Sequence, residues 1–432
     1  ATLHSLFGKV YYEGYAEPTW MWQSSSGQEG YEMKLSLMPL IFGTLKATLY
    51  SMLLGAPIAL LAAIFTSEFL HPKVRSKVKP TIELMATLPS VVLGFIAALV
   101  IAPLIKDFVP SVLIGFVTVP VTFVLGALVW QLLPRHFTLR ARNWRLLFVL
   151  PLALIGGAVA GLIGPTVERW FFAGDIRAWL YDADIGTAVG AWMFMLVPVS
   201  GLTVLLLTVR LVNPWLRRVC GHWPRSGRAL ADMIKFLAGA TVALLLALGL
   251  AAALNSFGLD PRTGWQVAGI ELSPLGTYVQ RNALIVGFVM GFAVIPIVYT
   301  IAEDALSTVP EHLRSASLGA GATPWQTAVR IVIPTAMSGL FSALMIGLGR
   351  AVGETMIVLM AAGNTPIMEL NIFNGFRTLS ANIATELPEA VRNSTHYRTL
   401  FMAALVLFIM TFIINTFAEI VRLRFRKKTV EL

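Results

Sequence analysis

Apolar runs of about 20 residues recur along this chain, and their length limits what it can fold into. A helix rises 1.5 Å per residue, so about 20 apolar residues cross the roughly 30 Å hydrocarbon core of a bilayer. A helix also satisfies every backbone polar group internally. With 56% hydrophobic and 13% charged residues, the 432-residue chain is predicted to be all-α, a polytopic helical membrane protein. Nine spans are expected, at about 41–66, 85–105, 112–133, 146–164, 189–210, 235–254, 283–302, 335–362 and 399–421.

Lysine and arginine collect in alternate loops, and this pattern indicates the orientation. Basic side chains cluster in four segments, 67–84, 134–145, 211–234 and the tail 422–428. If the spans alternate, these segments lie on one side, and the positive-inside rule makes that side cytoplasmic. The C-terminus is therefore predicted to be cytoplasmic. The net charge of +10 needs no nucleic-acid partner to explain it.

Residues 1–40 form a mixed polar segment that this orientation places outside the cytoplasm. Trp20, Trp22 and Tyr31 fit either an aromatic belt at the membrane interface or a small soluble core, and the sequence does not separate the two. The chain starts with alanine rather than methionine, so this segment is expected to be the remainder of a longer region.

The polar segment 303–334 lies between two apolar runs and is predicted to form two short helices. Pro310 and the pair Thr323-Pro324 are typical of helix starts, and Gly321 permits a tight turn between the helices. Pro334 is expected to end the second helix. Such a pair of helices suits docking into a groove of another protein. An ordinary cytoplasmic loop is the alternative.

The same segment resembles the EAA loop of ABC importer permeases. The matching positions are Ser315, Ala316, Ser317, Gly321, Ile331, Ile333 and Pro334. Their spacing fits at every step, although Ser315 replaces the usual glutamate, Ser317 the second alanine and Ile333 a leucine. In that family the loop forms coupling helices that seat in the ATP-hydrolysing subunit. We call 303–334 the coupling segment.

A wider resemblance covers about 1–105 and 271–432. The strings at 43–69, 79–95 and 349–356, together with the coupling segment, are similar to permeases of bacterial phosphate importers of the PstC type. This resemblance implies a type I ABC importer permease (MetI-like) bundle in the bacterial inner membrane. It implies as partners a sister permease subunit, a dimer of ATP-binding subunits, a periplasmic phosphate-binding protein and membrane lipid. ATP and magnesium would bind the partner, and no cofactor is expected on this chain.

The segment between these matches, 106–270, resembles nothing in that family. It contains four predicted spans, an even number that preserves the orientation of the helices on either side. We therefore expect an inserted four-helix membrane module between permease parts at 41–105 and 271–432. Lipid-facing packing and docking of another subunit are both open as its role.

Arg350 and Glu354 are expected within the predicted span 335–362. Four residues apart, they would share a helix face. Charges inside a membrane are costly and mark functional sites. An arginine fork suits a phosphate oxyanion, and Glu354 could hold the guanidinium between transport events. A salt bridge that only locks the helix is the alternative. In the resembling permeases this Arg-x-x-x-Glu pair is implicated in phosphate passage, so the resemblance assigns Arg350 and Glu354 to the substrate path.

Weaker candidates lie in other spans. Lys46 is expected near the outer end of its helix, where its side chain could reach the interface and assist anion entry. Hydroxyls that could donate to an anion, or simply pack helices, are Thr44, Thr48, Ser90 and Thr355. Prolines that could kink their helices are Pro57, Pro89 and Pro296.

Other function classes find little support in the sequence. It contains no P-loop, metal-ligand cluster or nucleophile triad, so no catalytic residue or metal site is assigned and the chain is not expected to be an enzyme. A single cysteine, Cys220, excludes an internal disulfide. The remaining alternatives are a permease for another oxyanion, such as sulfate or molybdate, and a secondary transporter or channel outside the ABC class.

Overall fold

The structure is a computed structural model that describes residues 2–25, 32–133, 148–220, 222–263, 266–267, 270–271 and 273–430. The predicted basic loop 134–145 and Tyr31 lie outside the described residues. The chain divides into two compact units. The core unit comprises 1–103, 266–271 and 279–432, and the second unit comprises 104–265 and 272–278. That the second unit is an insertion into a permease remains a prediction.

Helices make up nearly all of the regular structure. The first elements are α1 (Leu3–Phe7), β1 (Trp22–Gln23), β2 (Lys34–Leu35), α2 (Met38–Glu68), α3 (Pro72–Met85), α4 (Ser90–Ile96), α5 (Ala102–Asp107) and α6 (Val109–Leu132). Next are α7 (Val149–Phe171), α8 (Ile176–Tyr181), α9 (Val189–Leu207), α10 (Asn213–Cys220), α11 (Arg225–Ser256), β3 (Gln266–Val267) and β4 (Ile270–Glu271). The last are α12 (Ala283–Ser307), α13 (Glu311–Gly319), α14 (Pro324–Thr327), α15 (Ile333–Gly353), α16 (Met356–Ala361), α17 (Leu379–Glu386) and α18 (Thr395–Val430). The strands form two small antiparallel pairs, β1 with β2 and β3 with β4.

Within the described residues, nine helices are long and apolar enough to span a membrane. They confirm the predicted all-α polytopic fold. The spans are Met38–Glu68, Ser90–Asp107, Val109–Leu132, Val149–Phe171, Val189–Cys220, Ser226–Ser256, Ala283–Ser307, Pro324–Gly353 and Thr395–Val421. Three of them join two α-helices through a π-helical turn, at Ala97–Ile101, Thr208–Val212 and Ala328–Val332.

The eighth span differs from the prediction at both ends. Pro334 does not end a helix, because the chain continues without a break from Pro324 to Gly353. The turn before Pro334 is π-helical, and Ile333 donates its N–H to the carbonyl of Ala328, five residues back. This wider turn accommodates a residue that has no N–H to donate. The other end, predicted at 362, lies at Gly353.

Close backbone contact between α2 and α12 organises the core unit. A Cβ built on Gly55 would lie 2.7 Å from the carbonyl oxygen of Gly291, so only glycine fits there. The described side chains of Ile285, Val289 and Val298 on α12 are almost fully buried. In a bilayer, helices associate mainly by packing of this kind, because lipid tails are as apolar as the side chains.

The N-terminal segment packs onto one end of the core unit. Trp22 is 2% exposed and shares a buried cluster with Leu6, Leu35, Leu40, Leu379 and Leu400. Its indole Nε1 donates to Glu386 Oε1 at 3.1 Å. Of the two alternatives for the aromatic residues, Trp22 therefore belongs to a core rather than to an exposed belt.

A buried arginine holds together one end of the second unit. Arg262 lies 4.4 Å above the ring of Trp179 and pairs with Asp260 at 2.7 Å. Its guanidinium also donates to four backbone carbonyls, those of Trp179, Asp182, Ala183 and Ile185. Acceptors on all sides satisfy the donors that the guanidinium carries.

We expect Arg262→Leu to destabilise the second unit by ~3 kcal/mol, because the substitution leaves buried carbonyls and Asp260 without their donor. Cys220 is the only cysteine in the chain and is buried in the second unit. A thiol-reactive fluorophore therefore reports unfolding of this unit on heating. The control is Arg177→Leu, since the Arg177 side chain is 42% exposed and its contact with Asp175 is long, at 3.6 Å. Equal melting temperatures for both variants would contradict the prediction.

Candidate substrate path and coupling segment

The membrane helix that carries Arg350 is broken at Glu354. α15 ends at Gly353, Glu354 is extended with φ −67° and ψ 125°, and α16 begins at Met356. The unbroken span predicted at 335–362 is therefore wrong. The Glu354 carboxylate lies at the start of α16, where Oε1 accepts a long hydrogen bond of 3.5 Å from the N–H of Ile357. Interrupted helices of this kind occur at binding sites in transporters.

Arg350 and Glu354 meet across this break. Arg350 Nη2 lies 3.8 Å from Glu354 Oε2. The Glu354 side chain is 7% exposed, whereas that of Arg350 is 42% exposed. At 3.8 Å the contact is longer than the 2.7–2.9 Å typical of a charge-assisted hydrogen bond. The pair is thus loose, with a buried carboxylate and an open guanidinium. Its role in transport remains a prediction.

Small residues bring neighbouring helices close to this pair. A Cβ on Gly347 would overlap a methyl group of Val298 on α12. A Cβ on Gly349 would lie 3.2 Å from Asn415 Oδ1 on α18. The glycines before Arg350 therefore seat α15 between α12 and α18, as small residues do in membrane helix packing.

The start of α17 contacts the helix break at Glu354. Ser380 Oγ donates to the carbonyl of Glu354 at 3.0 Å, and the N–H of Leu379 donates to Thr44 Oγ1 at 3.1 Å. Thr44 also donates to the carbonyl of Leu40, and Thr48 donates to the carbonyl of Thr44, both at 2.8 Å. Both hydroxyls thus donate to carbonyls of their own helix, and Thr44 also joins α2 to α17.

The other hydroxyl and proline candidates lie at helix ends or inside continuous helices. Thr355 is half-buried beside Glu354 and donates to the carbonyl of Gly353 at 3.2 Å. Ser90 is the first residue of α4, and Pro89 precedes it as the cap. Pro57 and Pro296 lie inside the continuous helices α2 and α12.

Lys46 is buried, whereas the sequence predicted a side chain that could reach the membrane interface. Its side chain does not reach the interface, because Lys46 is only 2% exposed. Nζ lies 5.7 Å from the ring centroid of Phe376 and has no hydrogen-bond partner among the described residues. The segment that follows α16 covers it, and one turn further along α2 Tyr50 donates to the carbonyl of Leu370. No local sequence signal indicates that distant cover.

A charged cluster around Glu386 was not predicted from the sequence. Its carboxylate pairs with Arg377 at 2.9 Å and with His396 at 2.7 Å, and it also accepts from Trp22. The three side chains come from separate parts of the core unit. Their contacts tie the N-terminal segment to α17 and α18.

The coupling segment contains the two predicted short helices, α13 and α14. Gly321 has φ +88° in the turn between them, a conformation that suits glycine. Thr323 and Gln326 form a reciprocal capping box, with hydrogen bonds of 3.2 and 2.8 Å. Between the helices is a cleft of about 400 Å³, lined by Leu313, Ala316, Ser317, Ala320, Ala322, Gln326, Arg330 and Ile331.

Three residues of the predicted motif, Ser315, Ile333 and Pro334, are not among the described residues that line this cleft. Ser315 is exposed and donates to the carbonyl of Glu311 at 2.9 Å. Ser317 shares a hydrogen bond of 2.9 Å with Thr327. On the long helix that follows, Ile333 is half-buried and Pro334 is exposed.

Two contacts that the sequence analysis missed join the coupling segment to the end of α2. Arg314 Nη2 lies 2.9 Å from Glu68 Oε1, and the same guanidinium donates to the carbonyls of Leu306 and Val309. The rings of Phe69 and Trp325 stack with their centroids 6.2 Å apart. α2 and the coupling segment are therefore held together by an ion pair and an aromatic contact.

A second ion-pair group joins α3 to the end of α12. Glu303 is fully buried and pairs with Arg75 and, at 2.9 Å, with Lys79. Lys79 also pairs with Asp304. Partial burial of Lys79 opposes its charged form, but hydrogen bonds and attraction from Asp304 and Glu303 outweigh this and raise its pKa.

Comparison with known proteins identifies relatives of this chain. No family model and no solved structure matches it. The "Phosphate transport system permease protein PstC" of Xylella fastidiosa (strain 9a5c) is 32% identical over 248 residues, which are 56% of this chain and 73% of the relative. The protein of the same name from Mesorhizobium japonicum is 34% identical over 156 residues, 36% of this chain and 46% of the relative.

A third relative is the "Probable ABC transporter permease protein YqgH" of Bacillus subtilis, 32% identical over 133 residues. That match covers 31% of this chain and 43% of the relative. The chain thus spans less than half the length of two of these relatives, but it covers 73% of the Xylella protein. Together with the all-helical, membrane-spanning fold, the Xylella match shows that the chain belongs to the PstC family of phosphate transport system permease proteins.

Proposed function

We propose that this chain is the transmembrane permease subunit of an ATP-driven phosphate importer. The observation that carries the proposal is the loose pair of Arg350 and Glu354 at a break in a membrane helix. An open guanidinium beside a buried carboxylate can bind an oxyanion and release it again. Relatives named as phosphate transport permeases support phosphate as that anion.

The chemistry of the pair suits a partly protonated anion. The guanidinium can donate two parallel hydrogen bonds to phosphate oxygens. Glu354 accepts a hydrogen bond only from a ligand that carries a proton, as phosphate does near neutral pH and sulfate does not. When the anion leaves, Glu354 is 3.8 Å away to compensate the arginine again.

The proposed assembly contains this chain, a sister permease, a dimer of ATP-binding subunits and a periplasmic phosphate-binding protein. ATP and magnesium bind the ATP-binding subunits, and this chain contributes no ATPase site of its own. The distribution of basic residues supports a bacterial inner membrane protein with a cytoplasmic C-terminus and a cytoplasmic coupling segment.

Helix α2 provides a route from the ATPase to the substrate path. At one end Glu68 pairs with Arg314 of the coupling segment. Near the other end Thr44 accepts from Leu379, and the next residue, Ser380, holds the carbonyl of Glu354. α2 is one continuous helix of 31 residues, so a displacement at one end can be passed to the other. Movement of the coupling segment would therefore reach the helix break.

Substitution of the paired residues tests the substrate path. We expect Arg350→Gln to reduce phosphate uptake by the reconstituted complex about 10-fold or more, because a charge-assisted contact with the anion is lost. ATP hydrolysis and assembly should persist. Arg398→Gln is the matched control, since Arg398 is exposed on α18. Normal uptake by both Arg350→Gln and Glu354→Gln would make the pair structural and the proposal wrong.

Selectivity tests the role assigned to Glu354. We expect sulfate and molybdate to compete poorly for uptake by the parent complex, because neither donates a proton to the carboxylate. Glu354→Gln supplies an amide that can donate to a fully ionised oxyanion, so sulfate competition should strengthen about 10-fold. Uptake of sulfate or molybdate by the parent in place of phosphate would identify a permease for another oxyanion.

Uptake per ATP hydrolysed tests the coupling route. Arg314→Met removes the ion pair with Glu68 and should lower phosphate uptake several-fold at an unchanged rate of ATP hydrolysis. Glu311→Gln is the control, because the exposed Glu311 contacts the same arginine at 3.6 Å but does not join it to α2. If both variants transport phosphate as the parent does, α2 is not the route.

A further inference from the structure

Two helices of the second unit are longer than a membrane requires. The spans Val189–Cys220 and Ser226–Ser256 contain 32 and 31 residues. At 1.5 Å per residue each is more than 45 Å long, against about 30 Å of hydrocarbon. The surplus lies where the first helix ends and the second begins, because the polar residues of α10 and early α11 are there. This end is therefore at the depth of the lipid headgroups.

A polar cleft of about 270 Å³ opens between the two helices at that depth. Its charged lining residues are Arg228, Asp232 and Lys235, accompanied by Asn213 and the buried Cys220. Lys235 Nζ donates to Asn213 Oδ1 at 2.9 Å and to Asp232 Oδ1 at 2.7 Å. These contacts fix one ammonium group in the cleft and leave it a third N–H.

Arg228 supplies the second positive charge. Its Nε donates to the carbonyl of Trp223 at 3.1 Å, which orients the guanidinium. Within the described residues, no acceptor is recorded for its two terminal nitrogens. Those nitrogens form the fork that binds phosphate oxygens in parallel. Among the described lining residues, two cations and one carboxylate give a net charge of +1, opposite to that of a phosphodiester.

The surroundings of the cleft indicate where such a phosphate comes from. Trp215 and Trp223 are exposed beside it, as tryptophans are at membrane interfaces. Val209, Ile234 and Leu237 are exposed on the adjoining turns towards the hydrocarbon. The polar end of a ligand at this position would lie beside basic side chains, and its remainder would lie along an apolar surface.

We propose that the cleft binds the phosphodiester of an anionic glycerophospholipid of the phosphatidylglycerol class. Arg228 and Lys235 contact the phosphate, and the acyl chains lie along the apolar side chains of α9 and α11. Basic pockets between membrane helices bind anionic headgroups in this way. A zwitterionic headgroup is less suitable, because its ammonium would approach the same cations while Asp232 is already paired with Lys235. The proposal does not depend on the transported substrate.

The site is tested by measuring the lipid that the full chain retains when it is purified within its complex. After addition of phosphatidylglycerol, native mass spectrometry should show one more retained lipid on the parent than on Arg228→Gln. The affinity of Arg228→Gln for phosphatidylglycerol should be about 10-fold lower than that of the parent. Arg218→Gln is the matched control, because Arg218 is an exposed arginine of α10 that does not line the cleft. Equal losses in both variants would mean general surface charge and overturn the proposal.

A second measurement keeps Arg228 in place and therefore does not depend on the folding of Arg228→Gln. Brominated phosphatidylglycerol should quench the fluorescence of Trp223, obtained as the difference between the parent and Trp223→Phe. Brominated phosphatidylethanolamine should quench it several-fold less. Equal quenching by both lipids would overturn the preference for an anionic head. Displacement of the bound lipid by millimolar inorganic phosphate would assign the cleft to a soluble anion and overturn the lipid proposal.

Discussion

The contact of α2 with α12 at Gly55 and Gly291 is the interaction on which the core unit depends. Lipid offers no hydrophobic driving force for two apolar helices to associate, so backbone approach and van der Waals packing must hold them. With its middle fixed in this way, α2 presents Thr44 to the start of α17 and Glu68 to the coupling segment. The segment beside the helix break and the coupling segment thus both contact one continuous helix.

Three buried glutamates of the core unit are compensated to different degrees. Glu303 has two cations and Glu386 has Arg377, His396 and the indole of Trp22. Each of these two carboxylates thus has at least two close partners, and a buried charge is costly without such pairing. Glu354 has a distant guanidinium and one weak amide contact. Incomplete compensation is costly for stability alone, and this distinguishes Glu354 from the two structural glutamates.

The lengths of the apolar runs and the local helix-start and turn residues were sufficient to predict much of the fold. The apolar runs predicted the nine spans, and Pro310, Gly321 and Thr323 predicted the two helices of the coupling segment. The break at Glu354 was missed because the residues after it are as apolar as those before it. The burial of Lys46 was missed because its cover is more than 300 residues away in sequence.

The break at Glu354 also has an electrostatic consequence. Where α15 stops, the carbonyls of its last turn lack partners within the helix and concentrate a partial negative charge. Arg350 lies in that last turn, so the helix dipole already stabilises its positive charge. An anion that reaches the guanidinium is attracted by the side chain and repelled by the helix end. If Arg350 binds the transported anion as proposed, this repulsion would shorten the time that the anion stays bound.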